Sequence, residues 1–129
     1  MTKDPVFVFG SNESGIHGGG AAAFAYKKRG ARWGLSYGHF GDSFAIPTKA
    51  QHITHTLGLD QINKYVQGFL AYALGHPELQ FQVTAIGCGL AGLSHKDIAP
   101  MFKDAPGNCL FDNLWHPHLG DRHQYWGTF

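Results

Sequence analysis

The side chains best placed to do chemistry in this 129-residue sequence fall in three short stretches. Residues 10–25, GSNESGIHGGGAAAFA, carry Ser11, Asn12 and His17 ahead of Gly18, Gly19 and Gly20. Residues 46–49, IPTK, set Thr48 and Lys49 directly after an apolar run. Residues 86–93, IGCGLAGL, hold Cys88 between Gly87 and Gly89. A glycine loop that leaves a strand and leads into a helix offers clustered backbone N–H groups and the positive end of the helix dipole to an anion. Two such loops predict a phosphate cradle. Lys49 can serve such a site as a positive point charge. His17 can act as an acid or base beside it, or close its own loop through a hydrogen bond. Cys88 could offer a reactive thiol from the second loop, or belong to the loop alone.

Positioning these groups requires strands that deliver them and helices that follow. Residues 6–9 (VFVF) are apolar without alternation, which suits a strand covered on both faces. Residues 20–29 read as a helix closed by Lys27, Lys28 and Arg29, with Gly30 as the stop. Residues 31–42, with aromatics set between glycines, predict irregular structure or a hairpin. A short strand over 43–46 is expected to end at Pro47. The spacing of Ile62, Tyr65, Val66, Phe69, Leu70, Ala73 and Leu74 predicts a helix over 60–76. A strand over 81–86, a helix from His95 capped by Ser94, and a last short strand over 108–111 complete the pattern. This strand and helix alternation predicts a three-layer α/β fold, with a mostly parallel sheet between helices. All three polar stretches then fall at carboxyl ends of strands, where such sheets bind ligands. One domain is expected, comprising residues 1–111 and a histidine- and aromatic-rich extension, 112–129, packed on it.

The net charge of +1 gives no general attraction to nucleic acid or to an anionic membrane, so any anion must be held locally. A protein binding a nucleic-acid backbone normally carries a basic face. Cys88 and Cys109 form no disulfide framework and point to free thiols in a reducing cytoplasm. No segment is apolar over a membrane-spanning length. His52, His55, His116, His118 and His123 lack metal-ligand spacing, and neither a metal nor a cofactor is expected. Glycine supplies 18 of the 129 residues, about double the ordinary share of roughly 7%, and many of these glycines lie in loops between apolar strands.

With FVFGSN, GGGAAAFAYKKRG, IPTK and IGCGLAGL occurring in that order, residues 6–102 resemble the macro domain superfamily. They are most similar to the branch of the terminal ADP-ribose protein glycohydrolase and the DNA ADP-ribosyl glycohydrolase antitoxins. The resemblance implies a macro-domain-like fold that binds ADP-ribose or ADP-ribosylated nucleic acid or protein. Asn12 would contact the distal ribose, and Gly18, Gly19 and Gly20 would approach the diphosphate. Gly87, Cys88, Gly89, Leu90 and Ala91 would line its other side. Gly10, Ser11, Ile16, His17, Ala21, Thr48 and Gly92 complete the expected ligand-binding set.

In hydrolytic members of this branch the matching lysine is catalytic, so Lys49 would attack or polarise the anomeric carbon, with Asn12 and His17 assisting. An attacking amine must be neutral, which requires burial or nearby positive potential. The aspartate that follows GCGL in the protein-directed enzyme is Ala91 here, as it is also replaced in the DNA-directed antitoxins. Ala21, Ala22 and Ala23 stand where the commonest hydrolytic macro domains carry an acid. The expected function is therefore hydrolysis of an ADP-ribosyl glycosidic bond. The alternative is a module that reads or sequesters an ADP-ribose-derived signalling nucleotide without cleaving it. No residue is assigned to adenine.

Overall fold

An apolar run extends as a strand when both its faces can be covered, and the run after Pro5 does so. In the computed structural model, which describes residues 4–129, it forms β1, Val6–Asn12. Side chains alternate across a strand. Phe7 and Phe9 therefore face α1, Gly20–Lys28, through Ala22 and Ala25. Val6 and Val8 pack on the opposite side with Ile62, Val66 and Phe69 of α2, Leu59–Leu74. Each β1 side chain from Val6 to Phe9 is buried, which is why the run shows no polar alternation.

The other strands are β2 (Gly38–Phe40), β3 (Ser43–Lys49), β4 (Phe81–Val83), β5 (Cys109–Asp112) and β6 (Gln124–Gly127). They form one six-stranded sheet in the order β2-β3-β1-β4-β5-β6. Every pairing is parallel except that of β2 with β3. With helices on both faces, this is a three-layer α/β fold.

Several elements differ from their sequence-based bounds. Residues 31–42 contain a hairpin only at their end, where β2 turns through Gly41 into β3. Gly41 has φ +57°, and a Cβ there would stand 2.9 Å from the Gly30 Cα, so this turn requires glycine. Pro47 lies within β3 rather than ending it. It is tolerated because β2 pairs only as far as Ala45, which leaves the outer edge of β3 free at Pro47. β4 stops at Val83, three residues early: Thr84 still donates to the Val8 carbonyl from its N–H (3.1 Å) and Oγ1 (2.8 Å), but the Ile86 N–H then turns back to the Thr84 carbonyl (2.8 Å).

α3, His95–Ile98, is one turn long and continues as a 3₁₀ turn, Ala99–Phe102. Ser94 occupies its N-cap position but makes no side-chain cap bond, contrary to the expected capping. The tail holds a short helix, α4 (His116–Leu119), and the unanticipated edge strand β6. Its Trp115 is fully buried, with ring centroids 5.1 Å from Phe102 and 6.1 Å from Phe111.

This strand order creates a switch point. From β1 the chain crosses through α1 to β3 on one side, whereas from β4 it crosses through α3 to β5 on the other. Connections leaving adjacent strands in opposite directions open a crevice beyond their carboxyl ends, where α/β sheets bind ligands. The two glycine loops are the segments that leave β1 and β4. No helix among the described residues is long and apolar enough to cross a membrane.

Candidate functional site

At that crevice lies a cavity of about 580 Å³, within the size range of small-molecule sites. Three segments distant in sequence meet at its floor. A Cβ added to Gly10 would stand 3.3 Å from the Gly87 nitrogen and 3.5 Å from Thr48 Oγ1, a close approach that the missing side chain of Gly10 eases. Thr48, buried, ties β3 to β1 by donating to the Ser11 carbonyl (3.3 Å). Between Ser11 and Asn12 the β1–β3 register slips, pairing Ser11 with Pro47 and Asn12 with Lys49. Such irregularities re-aim side chains, and this one sets Lys49 beside Asn12 on the cavity wall.

The donors of the cradle come from both loops. Gly20, Ala21 and Ala22 are the first three residues of α1, whose N–H groups have no intrahelical acceptor. No side chain caps this helix, and no acid lies in its first turn. Opposite them, the N–H groups of Gly87, Gly89, Leu90 and Ala91 have no acceptor among the described residues, whereas Cys88, Gly92 and Leu93 bond within the loop. Both sets line the cavity. Gly18 and Gly89 leave open space where a Cβ would stand. Leu90 is 75% exposed and lies over Gly19, its Cδ1 3.3 Å from the position of a Cβ there.

Most of the expected ligand-binding residues share this wall: Gly10, Ser11, Asn12 and Ile16, the glycine run with Ala21, Thr48 and Lys49, and residues 87–91. Their polar atoms are not equally free. Asn12 clamps its own loop, donating from Nδ2 to the Ile16 carbonyl (2.7 Å) and accepting the Ile16 N–H at Oδ1 (3.0 Å). Ser11 donates its hydroxyl to the Ser36 carbonyl. Lys49, half-buried, forms no ion pair among the described residues.

Two expected residues lie off the wall. His17 is only 2% exposed; it donates Nε2–H to the Arg32 carbonyl (2.8 Å) and packs edge-on against Phe9 and Trp33. Its Nε2 bond closes the loop, and the ring is enclosed beneath it, with Nδ1 unpartnered among the described residues. Gly92, at φ +75°, closes the turn by donating to the Gly89 carbonyl.

No family model and no curated protein matches this chain. Among solved structures, its fold is similar to that of a protein of unknown function from Bacteroides thetaiotaomicron, with TM-score 0.55 and 15% identity. That likeness covers 79% of this chain and 81% of the other, and it is one of fold.

The wall also includes residues that sequence reasoning did not select. Beyond β4 and α3 these are Thr84, Ala85, Ile86 and His95; at the end of β5 they are Asp112 and Leu114, joined by Phe129, with Ile53 at the Lys49 side. Asp112 is the one carboxylate on this wall among the described residues. Buried, it accepts from the Leu114 N–H at Oδ1 and from Thr128 Oγ1 and the Phe129 N–H at Oδ2. The tail thereby becomes part of the site. The signal in the sequence was an acid at a strand's carboxyl end, but only the pairing of β5 with β4 places it there.

Burial pushes the Cys88 thiol up to about 11, with the Trp115 N–H partly offsetting, so it is a neutral thiol at pH 7. Cys109, deeper in the core, is pushed up to about 12 by burial. Both cysteines are free. No cluster of three His, Cys, Asp or Glu that could hold a metal occurs among the described residues.

Proposed function

We propose that this chain is a macro-like domain that binds ADP-ribose or an ADP-ribosyl adduct and hydrolyses the glycosidic bond from ADP-ribose to a nucleobase or protein side chain. The observation carrying this reading is the convergence of unpaired N–H groups from both glycine loops on one cavity at the switch point. Seven unpaired backbone N–H groups suit a diphosphate, and the uncapped helix end adds positive potential. The wall runs from Lys49 on β3 to Asp112 on β5, three strand spacings or about 14 Å apart. That span fits a ligand extending on both sides of its phosphates. The distal ribose lies at the Lys49 and Asn12 end. The nucleoside lies at the β5 end, against Leu114 and Phe129.

In this reading the neutral Lys49 amine attacks the anomeric carbon, the C–N bond forming as the glycosidic bond breaks and the amine's proton passing to the leaving group, and water then displaces Lys49 to release ADP-ribose. Where Lys49 only polarises the centre, water attacks directly and its proton goes to the leaving group. The free thiols favour action in the cytoplasm.

One observation favours a module that binds without cleaving. Ala22 and Ala91 line the cavity where relatives of the resembled family carry acids, and Asp112 stands three strands away from Lys49. Calorimetric titration with ADP-ribose, beside AMP and NAD, followed by hydrolysis assays on ADP-ribosylated DNA and protein, separates the readings. Saturable binding with turnover is the expected result. Binding with the adduct recovered intact decides for the module, and failure of every nucleotide and adduct to bind removes both readings.

A further inference from the structure

His95 and Trp115 form a pair whose chemistry the cradle leaves unused. Trp115 is fully buried, and its indole N–H, which can only donate, points at His95 Nδ1 (3.0 Å). The Cys88 thiol also lies beside this N–H, but a neutral thiol is the weaker acceptor. Nδ1 must therefore be unprotonated, so the neutral ring carries its proton on Nε2. Nε2 has no partner among the described residues, and His95 is half-buried on the cavity wall. It stands on the same side of the cradle as Asp112 and Leu114. His118 lies alongside, nearly parallel at 6.3 Å between ring centroids.

We propose that His95 is a ligand-binding residue that donates Nε2–H to an acceptor atom on the nucleoside half of the ligand, a ring nitrogen of the base or a ribose oxygen. Trp115 acts as the positioning residue: its indole holds the tautomer and the ring plane before the ligand arrives. The inference rests on the ADP-ribose reading for its ligand. It differs from that reading in assigning a side-chain donor, where the cradle supplies only backbone N–H groups. An N–H fixed in this way loses little freedom on binding, which is how preorganisation raises affinity.

The test combines calorimetry with histidine-selective ¹⁵N spectroscopy on the full chain. In the free wild-type protein, His95 should show the Nε2–H tautomer; a protonated Nδ1 overturns the proposal. With ADP-ribose bound, the His95 ring should show contacts to adenine or proximal-ribose protons, and contacts confined to the distal ribose also overturn it. His95→Ala should weaken ADP-ribose binding about tenfold. His95→Gln, which keeps an N–H donor, should recover part of the loss. Trp115→Phe should scramble the tautomer. Should Trp115→Phe fail to fold, His95→Ala and the wild-type spectra carry the decision. Wild-type binding that His95→Ala leaves within twofold overturns this contact alone, whereas no wild-type binding of ADP-ribose overturns the ligand reading and the contact with it.

Discussion

Lys49 is the basic side chain of the cavity wall, and its surroundings separate catalysis from simple charge pairing. It has no ion-pair partner among the described residues and shares the cavity wall with the uncapped start of α1. Lys49→Ala is expected to abolish hydrolysis while leaving ADP-ribose affinity within about tenfold, or 1.4 kcal/mol. Single-turnover assays and calorimetry on the same preparation check this, and undiminished turnover would remove Lys49 from the mechanism. The thiols give a second expectation at this scale. Folded values of about 11 for Cys88 and about 12 for Cys109 exceed the ordinary 9.0, so the native state retains protons that the unfolded chain releases. Their contribution to stability is complete below pH 9 and is lost as pH rises through 11 and 12. Urea midpoints should fall between pH 8 and pH 10.5, and Cys109→Ala should fall less steeply. An equal slope in the variant would refute the assignment to Cys109.

The loops and helix ends act as units, and their glycines divide by what surrounds them. Gly18 and Gly89 face open space without a positive φ, so Gly18→Val and Gly89→Val should leave the melting temperature within about 2 °C. The added methyls would occupy ligand space and reduce ADP-ribose affinity at least tenfold. Gly87 is different: φ is +76°, and a Cβ would stand 3.1 Å from Leu93 Cδ1. Gly87→Ala should destabilise the fold by about 1–3 kcal/mol, read by denaturant titration. If the valine variants bind as the wild type does, the ligand does not lie between the loops. α1 was legible because its basic end and the Gly30 stop are local signals, and α2 because its apolar period is long. β4 is shorter than its apolar run suggests, since the run continues through a turn that the Ile86 N–H closes on the Thr84 carbonyl (2.8 Å).

Across the whole molecule, the tail is the part whose role depends most on the fold. Trp115 fills core space beside Phe102 and Phe111, and the Asp112 carboxylate binds the backbone and side chain of residues 128–129. A chain ending at Asp112 should therefore lose cooperative unfolding and its near-ultraviolet circular dichroism, since removing a buried Trp alone costs about 3–5 kcal/mol. Cooperative melting of that fragment would make residues 113–129 an appendage. The sequence by itself determined the α/β class, the two glycine loops and their place after strands, because apolar runs, glycine clusters and helix stops act over a few residues. It also singled out Thr48 and Lys49 as polar residues following the apolar run of β3. Only the tertiary structure decided that β1 and β4 flank the switch point, that Asn12 spends its amide on Ile16, and that His17 turns into the core. It likewise decided that His95, Asp112 and Phe129 reach the cavity. Strand order and register are set by packing between distant segments, which no local pattern encodes.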